Sequence, residues 1–127
     1  PDDARDHLYM DLSMNLRAII SQRLIPNARG NGSVPAVEIM LNSPMISDLI
    51  MGGEIADIRE AMEKSSDEGM MTFDQSLFGL YENGFINYED AMRSAESVNN
   101  LRLKIKLEGE AAKSKKSIGS TFDQIKF

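Results

Sequence analysis

Apolar positions recur at helical spacing from the start of the chain. Leu8, Leu12, Leu16, Ile19 and Arg23 fall on one stripe, and Met10, Met14 and Ala18 on a second. Asp2 and Asp3 put acids in the first turn, where the helix dipole favours them. A helix apolar on two sides packs on two sides, so a sheet is expected beneath it and a further layer above. The pattern then changes. Pro26 disfavours a helical Ile25, and the run from Asn27 to Ser33, with Asn31-Gly32 inside it, is the strongest turn signal in the chain. Residues 23–27 are therefore expected to pair with residues 33–41 as an antiparallel hairpin, with Pro35 tolerable on an edge.

The stretch from Val34 to Gly53 is the pivot. Val34, Val37, Ile39 and Leu41 read as a strand around Glu38, a carboxylate that needs a partner such as Arg23 or Arg17 if it is buried. Ser43 suits a helix N-cap, Pro44 suits the first helical position, and Gly52-Gly53 ends a short helix carrying Ile46, Leu49 and Ile50. After the pivot the pattern is helical. Ile55, Ile58, Ala61 and Met62 predict a helix over 54–64, and Ser65 to Gly69 a polar loop. Thr72-x-x-Gln75 is a capping box ahead of Phe73, Leu77, Leu80 and Tyr81, and Asn83-Gly84 closes that helix. Phe85 and Ile86 are expected to pack, Asn87 to cap a short helix through Ala91 and Met92, and Ser97 to cap a last one bearing Leu101 and Ile105.

Composition narrows the function. The 127 residues carry a net charge of −6, which argues against nucleic acid as a primary partner. The charge is uneven. Residues 44–94 hold 11 acids against 3 bases, whereas residues 101–127 hold 7 bases against 3 acids. Such runs read either as solvated faces or as two contact surfaces of opposite sign. With no cysteine there is no disulfide framework, thiolate chemistry or cysteine zinc site, and nine methionines predict a plastic aliphatic core. No run approaches the ~20 apolar residues of a membrane span, so no direct membrane insertion is expected. The chain opens at Pro1 without an initiator Met, which reads as a piece of something longer.

Motifs for chemistry are sparse. No G-x-x-x-x-G-K-[ST] loop occurs, and His7 is the single histidine, so neither a triphosphate cradle nor a histidine metal site is expected. Asp67-Glu68 and Glu89-Asp90 fit a loop and a first helical turn. By its own residues the chain reads as non-catalytic, with no catalytic, cofactor or metal residues. Beyond Leu107 the chain is polar and basic, and residues 108–127 are expected to form a flexible tail. There Thr121-Phe-Asp-Gln-Ile-Lys-Phe127 echoes Thr72-Phe-Asp-Gln-Ser-Leu-Phe78 at five of seven positions. The echo is either two capping sequences alike by chance, or a mimic that docks on a neighbouring copy.

Five blocks together resemble the type IV pilus retraction ATPases, the PilT/PilU family of the secretion ATPase superfamily. Asn15-Leu-Arg-Ala-Ile-Ile-Ser-Gln-Arg-Leu24 with Val34-Pro-Ala-Val-Glu-Ile-Met40 looks like the end of their RecA-like domain. Ser43-Pro-Met-Ile-Ser-Asp-Leu-Ile50 falls where they carry a Thr-Pro-Ala-Ile-Arg-Asn-Leu-Ile-type motif, and Gly69-Met-Met-Thr-Phe-Asp-Gln-Ser-Leu77 resembles their Gly-Met-Gln-Thr run. Residues 88–93 and 97–107 are similar to the C-terminal helices of the PilU branch. Pilus extension and secretion relatives carry cysteine pairs after the Gln-Arg-Leu segment; here Ile25-Pro26-Asn27 comes directly after it, which favours the retraction branch. The chain departs from the family at Ser47-Asp48 and Met51-Gly52, where PilT has Arg-Asn and Arg-Glu.

The resemblance implies the C-terminal portion of a hexameric P-loop ATPase, with the nucleotide loop, acidic boxes and His box upstream of Pro1. ATP and Mg would then belong to the parent protein and not to this piece. The expected fold class is an α/β fragment, predominantly α-helical. It joins an antiparallel β-hairpin from the edge of a RecA-like domain (1–42) to a C-terminal helical bundle (43–107) and the tail (108–127). The expected role is subunit packing and force transmission in twitching motility, in the cytoplasm at the inner-membrane pilus base. Expected partners are further copies in a homo-oligomer, a PilT-type ATPase and the pilus inner-membrane platform protein. Pro44, Met45, Ile46, Ser47, Asp48, Leu49 and Ile50 are the expected interaction residues. The competing reading is a free-standing helical protein-protein interaction module with no motor function.

Overall fold

A computed structural model describes residues 2–109. Helix α1 (Asp2–Asn15) leads into an antiparallel hairpin of β1 (Ala18–Pro26) and β2 (Ser33–Leu41). Helix α2 (Pro44–Met51) comes next, then a 3-10 turn at Ile55–Asp57, α3 (Ile58–Glu63) and a second 3-10 turn at Ser66–Glu68. The chain continues through α4 (Phe73–Glu82), α5 (Tyr88–Ser94) and α6 (Val98–Lys104), which loosens into a π-turn over Ile105–Gly109. A mostly helical α/β chain with one antiparallel hairpin is the class the sequence predicts.

Two compact units interleave along the sequence. The first comprises residues up to Leu24 with Pro35–Ser76, and the second Ile25–Val34 with the residues from Leu77 on. The first unit is built on an aliphatic, methionine-rich cluster: Met40 of β2, Ile46 and Ile50 of α2, Ala61 and Met62 of α3, and Met70, with Leu16, Leu41, Leu49 and Ile58 packed around it. Met70 and Met62, each nearly fully buried, fill the irregular space that unbranched side chains suit. In the second unit Ile25, Leu77, Ile86, Ala91 and Leu101 are buried, and the Tyr81 and Tyr88 rings meet edge-on at 5.9 Å.

The hairpin is longer than the sequence predicts and starts earlier. Leu16, Ile19 and Arg23 do not continue a helix; α1 ends at Asn15 and β1 begins at Ala18. The two-sided packing expected of α1 is also absent among the described residues. Leu8, Met10, Leu12 and Met14 are exposed, Ser13 is the buried residue of the helix, and α1 packs against α2. β1 is exposed at every position except Ile25. β2 is better covered. Its outer edge is closed by an antiparallel bridge from Ile39 to Met71, with N–H···O distances of 2.8 and 2.9 Å, and by Ser76 Oγ, which accepts from the Val37 N–H at 3.0 Å.

The turn between the strands is organised by Asn27 rather than by Asn31-Gly32 alone. Asn27 Oδ1 accepts from the Arg29 N–H at 2.9 Å, its Nδ2 donates to Asn31 Oδ1 at 2.9 Å, and its own N–H closes the loop on the Gly32 carbonyl at 2.9 Å.

Downstream, the capping box closes in both directions. The Thr72 N–H donates to Gln75 Oε1 at 2.9 Å and the Gln75 N–H to Thr72 Oγ1 at 3.2 Å. Gly84, at φ +78°, ends α4 with the Phe85 N–H returning to the Leu80 carbonyl at 2.9 Å. Ile86 packs as expected, but Phe85 is half exposed.

The echo of Thr72–Phe78 at residues 121–127 lies outside the described residues. Within α4, however, Leu77 is fully buried, and its counterpart in the echo is Lys126. Seating the echo in the place of α4 would bury an ammonium group where a leucine now sits, at a cost of several kcal/mol, about the penalty for an unpaired buried charge.

Candidate interaction site on helix α2

Local chemistry fixes both ends of α2. Ser43 takes an extended backbone (φ −67°, ψ 165°) and its Oγ accepts from the Ile46 N–H at 3.3 Å, while Pro44 occupies the first helical position. At the other end the Gly53 N–H returns to Ile50 and the Glu54 N–H to Leu49, at 3.0 and 2.9 Å. Gly53 has φ +69°, and a Cβ there would stand 3.2 Å from the Tyr9 ring. The turn thus needs glycine for its backbone and for the neighbouring helix.

Helical periodicity divides the seven expected interaction residues. Ile46 and Ile50 are fully buried in the core of the first unit, and Leu49 packs beside them. Ser47 is half-buried and its Oγ donates to the Ser13 carbonyl at 2.7 Å. That leaves Pro44, Met45 and Asp48 facing outward, joined by Met51; Met45 and Met51 are each about half exposed. This outward strip has no basic residue in the last helical turn.

Asn42, just before the cap, belongs to no sequence pattern, yet it ties this region together. Its N–H donates to the Arg17 carbonyl at 2.9 Å, and its Nδ2 donates to the carbonyls of Leu16 at 2.7 Å and Ser13 at 3.1 Å. The last carbonyls of a helix lack partners within it, and at the end of α1 Asn42, just past β2, and Ser47 of α2 supply donors to Ser13 and to Leu16 just beyond the helix. Asn42 Oδ1 is buried with no hydrogen-bond partner among the described residues. An open polar cavity of about 770 Å³ lies against this junction, lined by residues including Ser13, Arg17, Asn42, Ser47 and Glu68. No local sequence signal reveals this role, because the donors and the acceptors they serve are 26 to 34 residues apart.

The other candidates are dispersed. His7 lies exposed on α1. Glu38 is half-buried in β2, and on β1 the Arg23 guanidinium stands 4.4 Å from the Phe73 ring centroid. Asp67-Glu68 and Glu89-Asp90 occupy the second 3-10 turn and the first turn of α5. Among the described residues no group of three or more acids or histidines is placed to hold a metal ion, and no helix is long and apolar enough to cross a membrane. The exposed pair Glu60 and Lys64 meets at 2.8 Å; the shared hydrogen bond first, and the charge second, hold the Glu60 carboxyl below and the Lys64 ammonium above their ordinary pKa values.

A hairpin feeding a capped helix and a run of short helices is also found in solved ATPase structures. The crystal structure of the pilus retraction motor PilT with bound ADP superposes with a TM-score of 0.68 at 31% identity, over 80% of this chain and 28% of that one. The fold is therefore that of a segment of a pilus-type motor ATPase. Sequence relatives agree. The type IV pilus ATPase PilU of Pseudomonas aeruginosa is 46% identical over 111 residues, 87% of this chain and 29% of that protein. A twitching motility protein of Neisseria gonorrhoeae is 37% identical over 101 residues, 80% of this chain and 27% of that protein. No protein-family model matches the chain. The chain belongs to the PilT/PilU family of type IV pilus ATPases. It spans less than a third of the length of the curated relatives it matches.

Proposed function

We propose that this chain serves as the C-terminal part of a type IV pilus retraction ATPase, contributing to subunit packing and force transmission rather than nucleotide hydrolysis. The observation that carries the reading is the 46% identity to a type IV pilus ATPase across 87% of the chain. The 127 residues contain no phosphate-cradling loop, so ATP and its Mg are assigned to the rest of the parent protein. In this reading 1–42 ends a RecA-like domain, 43–107 forms the helical region, and the protein works as a hexamer in the cytoplasm at the inner-membrane pilus base. A PilT-type ATPase and the pilus platform protein are its partners there.

Within that role we assign partner contact to the outward strip of α2, at Pro44, Met45 and Asp48 with Met51. The inward residues Ile46, Leu49 and Ile50 hold the helix on its core, and Ser47 ties it to α1. The discriminating experiment uses the full-length protein with Met45→Ala and Asp48→Asn, both on exposed positions. The expected result is normal ATP hydrolysis with impaired twitching. Unchanged twitching would remove α2 from the contact surface. A parent protein without ATPase activity would overturn the motor reading and leave the free-standing interaction module.

A further inference from the structure

The last helix presents two unlike faces. Toward the second unit it turns Leu101, which is 2% exposed, and Lys104, whose ammonium lies 4.8 Å from the Phe78 ring centroid; Ile105 is half-buried. Outward it turns Leu103 and Leu107, 54% and 63% exposed, together with exposed Arg102 and Lys106. The two leucines are four residues apart, as are the two bases, so each pair shares a side of the helix. Two leucines side by side on one helix face, flanked by long cations, make an amphipathic strip and not a purely charged one.

We propose that this outward face of α6 and its π-turn is a docking surface for an anionic lipid bilayer. The charge favours that occupant. Residues 101–127 carry 7 bases against 3 acids in a chain whose net charge is −6, and Lys113, Lys115 and Lys116 come soon after the helix in sequence. Each base near an anionic surface contributes about 1 kcal/mol. Leu103 and Leu107 reach the acyl boundary while the stems of Arg102 and Lys106 let their heads rise to the phosphates. Nucleic acid would use the cations and leave both leucines without purpose. Glu108 lies exposed beside them and weakens the face without reversing it.

The test is cosedimentation of the full chain with vesicles of phosphatidylcholine alone and of phosphatidylcholine mixed with phosphatidylglycerol. Retention on the mixed vesicles alone is expected, lost in high salt, and weaker by about tenfold or more in Arg102→Glu/Lys106→Glu. Leu103→Ser/Leu107→Ser is expected to weaken it at constant charge. All four positions are exposed, and an unchanged melting curve confirms that the variants fold. Equal retention on both compositions, no retention, or retention that survives both double substitutions overturns the proposal. So does a charge reversal that abolishes chain–chain association at low salt with no vesicle binding in the parent chain; that result assigns the face to the acidic surface of a second copy.

Discussion

Ser47 Oγ donates to the carbonyl oxygen of Ser13 at 2.7 Å, fastening the outer helix of the first unit to the helix that caps off β2. The acceptor is one of the last carbonyls of α1, which that helix cannot satisfy itself. Ser47→Ala is expected to cost about 1 kcal/mol, because the Ser13 oxygen keeps a second donor in Asn42 Nδ2 at 3.1 Å. A thermal melt of the variant checks this; a loss of several kcal/mol would mean that Asn42 does not hold the carbonyl when Ser47 is gone.

Asn42 has more at stake. Its Nδ2 serves two carbonyls at once, and its Oδ1 is already buried without a partner among the described residues. Asn42→Asp keeps the shape and replaces the donor with a carboxylate oxygen facing two carbonyls. The expected loss at neutral pH is about 3 kcal/mol or more. The sign with pH is set by the carboxyl being forced toward its neutral form in the folded state, its pKa raised above the unfolded value. Its protonated form is tolerated at acid pH, and stability relative to the parent falls as pH rises from the unfolded value through the raised folded one. Urea denaturation of both proteins at acid and neutral pH measures this, and a pH-independent difference would contradict it.

The Thr72–Gln75 box is expected to behave as a unit. Thr72 is 1% exposed and exchanges two hydrogen bonds with Gln75, whose Nε2 also reaches the Glu63 carbonyl and Ser66 Oγ at 3.4 and 3.3 Å. Thr72→Ala should cost about 1–2 kcal/mol, and Thr72→Ser should recover the capping part of it. The Thr72→Ala/Gln75→Ala double variant should lose less than the sum of the singles, because the first substitution already breaks half of the exchange. Additive losses would show that the two bonds do not depend on each other.

These contrasts also explain what could be read from the sequence. Ser43-Pro44, Thr72-x-x-Gln75, Asn83-Gly84 and the turn after Pro26 are short-range devices, and each appears where its residues predict it. The boundary between α1 and β1 was not legible. Leu12, Leu16, Ile19 and Arg23 keep helical spacing through it, whereas in the fold Asn42, just past β2, binds the carbonyls of Arg17 and Leu16 at this boundary. Local propensity lost to a contact made across the hairpin. For the same reason α2 is legible as an element, but the division of its eight residues into core, strut and exposed strip needs the positions of α1 and α3.

The exposed Glu60–Lys64 pair gives a prediction of the opposite kind. Glu60 is held below its ordinary value of 4.5 and Lys64 above its ordinary 10.5, chiefly by their shared hydrogen bond. The Glu60 contribution is present above its unfolded pKa and lost as pH falls through the folded one. The Lys64 contribution is present below its unfolded pKa and lost as pH rises through the folded one. Both side chains are largely in solvent, 68% and 72% exposed, so the pair is screened and entropically costly to hold. Glu60→Gln is therefore expected to leave the melting temperature unchanged between those limits, at low and high salt alike. A clear salt-dependent drop would show the pair to be part of a wider charge network.

Gly53 combines two constraints that substitution can separate. Its φ of +69° strains any residue with a Cβ, at about 1–2 kcal/mol, and that Cβ would also press on the Tyr9 ring at 3.2 Å. Gly53→Ala meets both constraints. Gly53→Asn meets the contact with less backbone strain, since asparagine tolerates the left-handed region. In a Tyr9→Ala background the contact disappears and the strain remains. The expected order of stability loss is Gly53→Ala in the parent, then Gly53→Asn in the parent, then Gly53→Asn in the Tyr9→Ala background, each measured by urea denaturation against its own background. If the Tyr9→Ala background leaves the Gly53→Asn loss unchanged, backbone strain alone sets the requirement for glycine, and the packing of α1 on the end of α2 yields to the added side chain without cost.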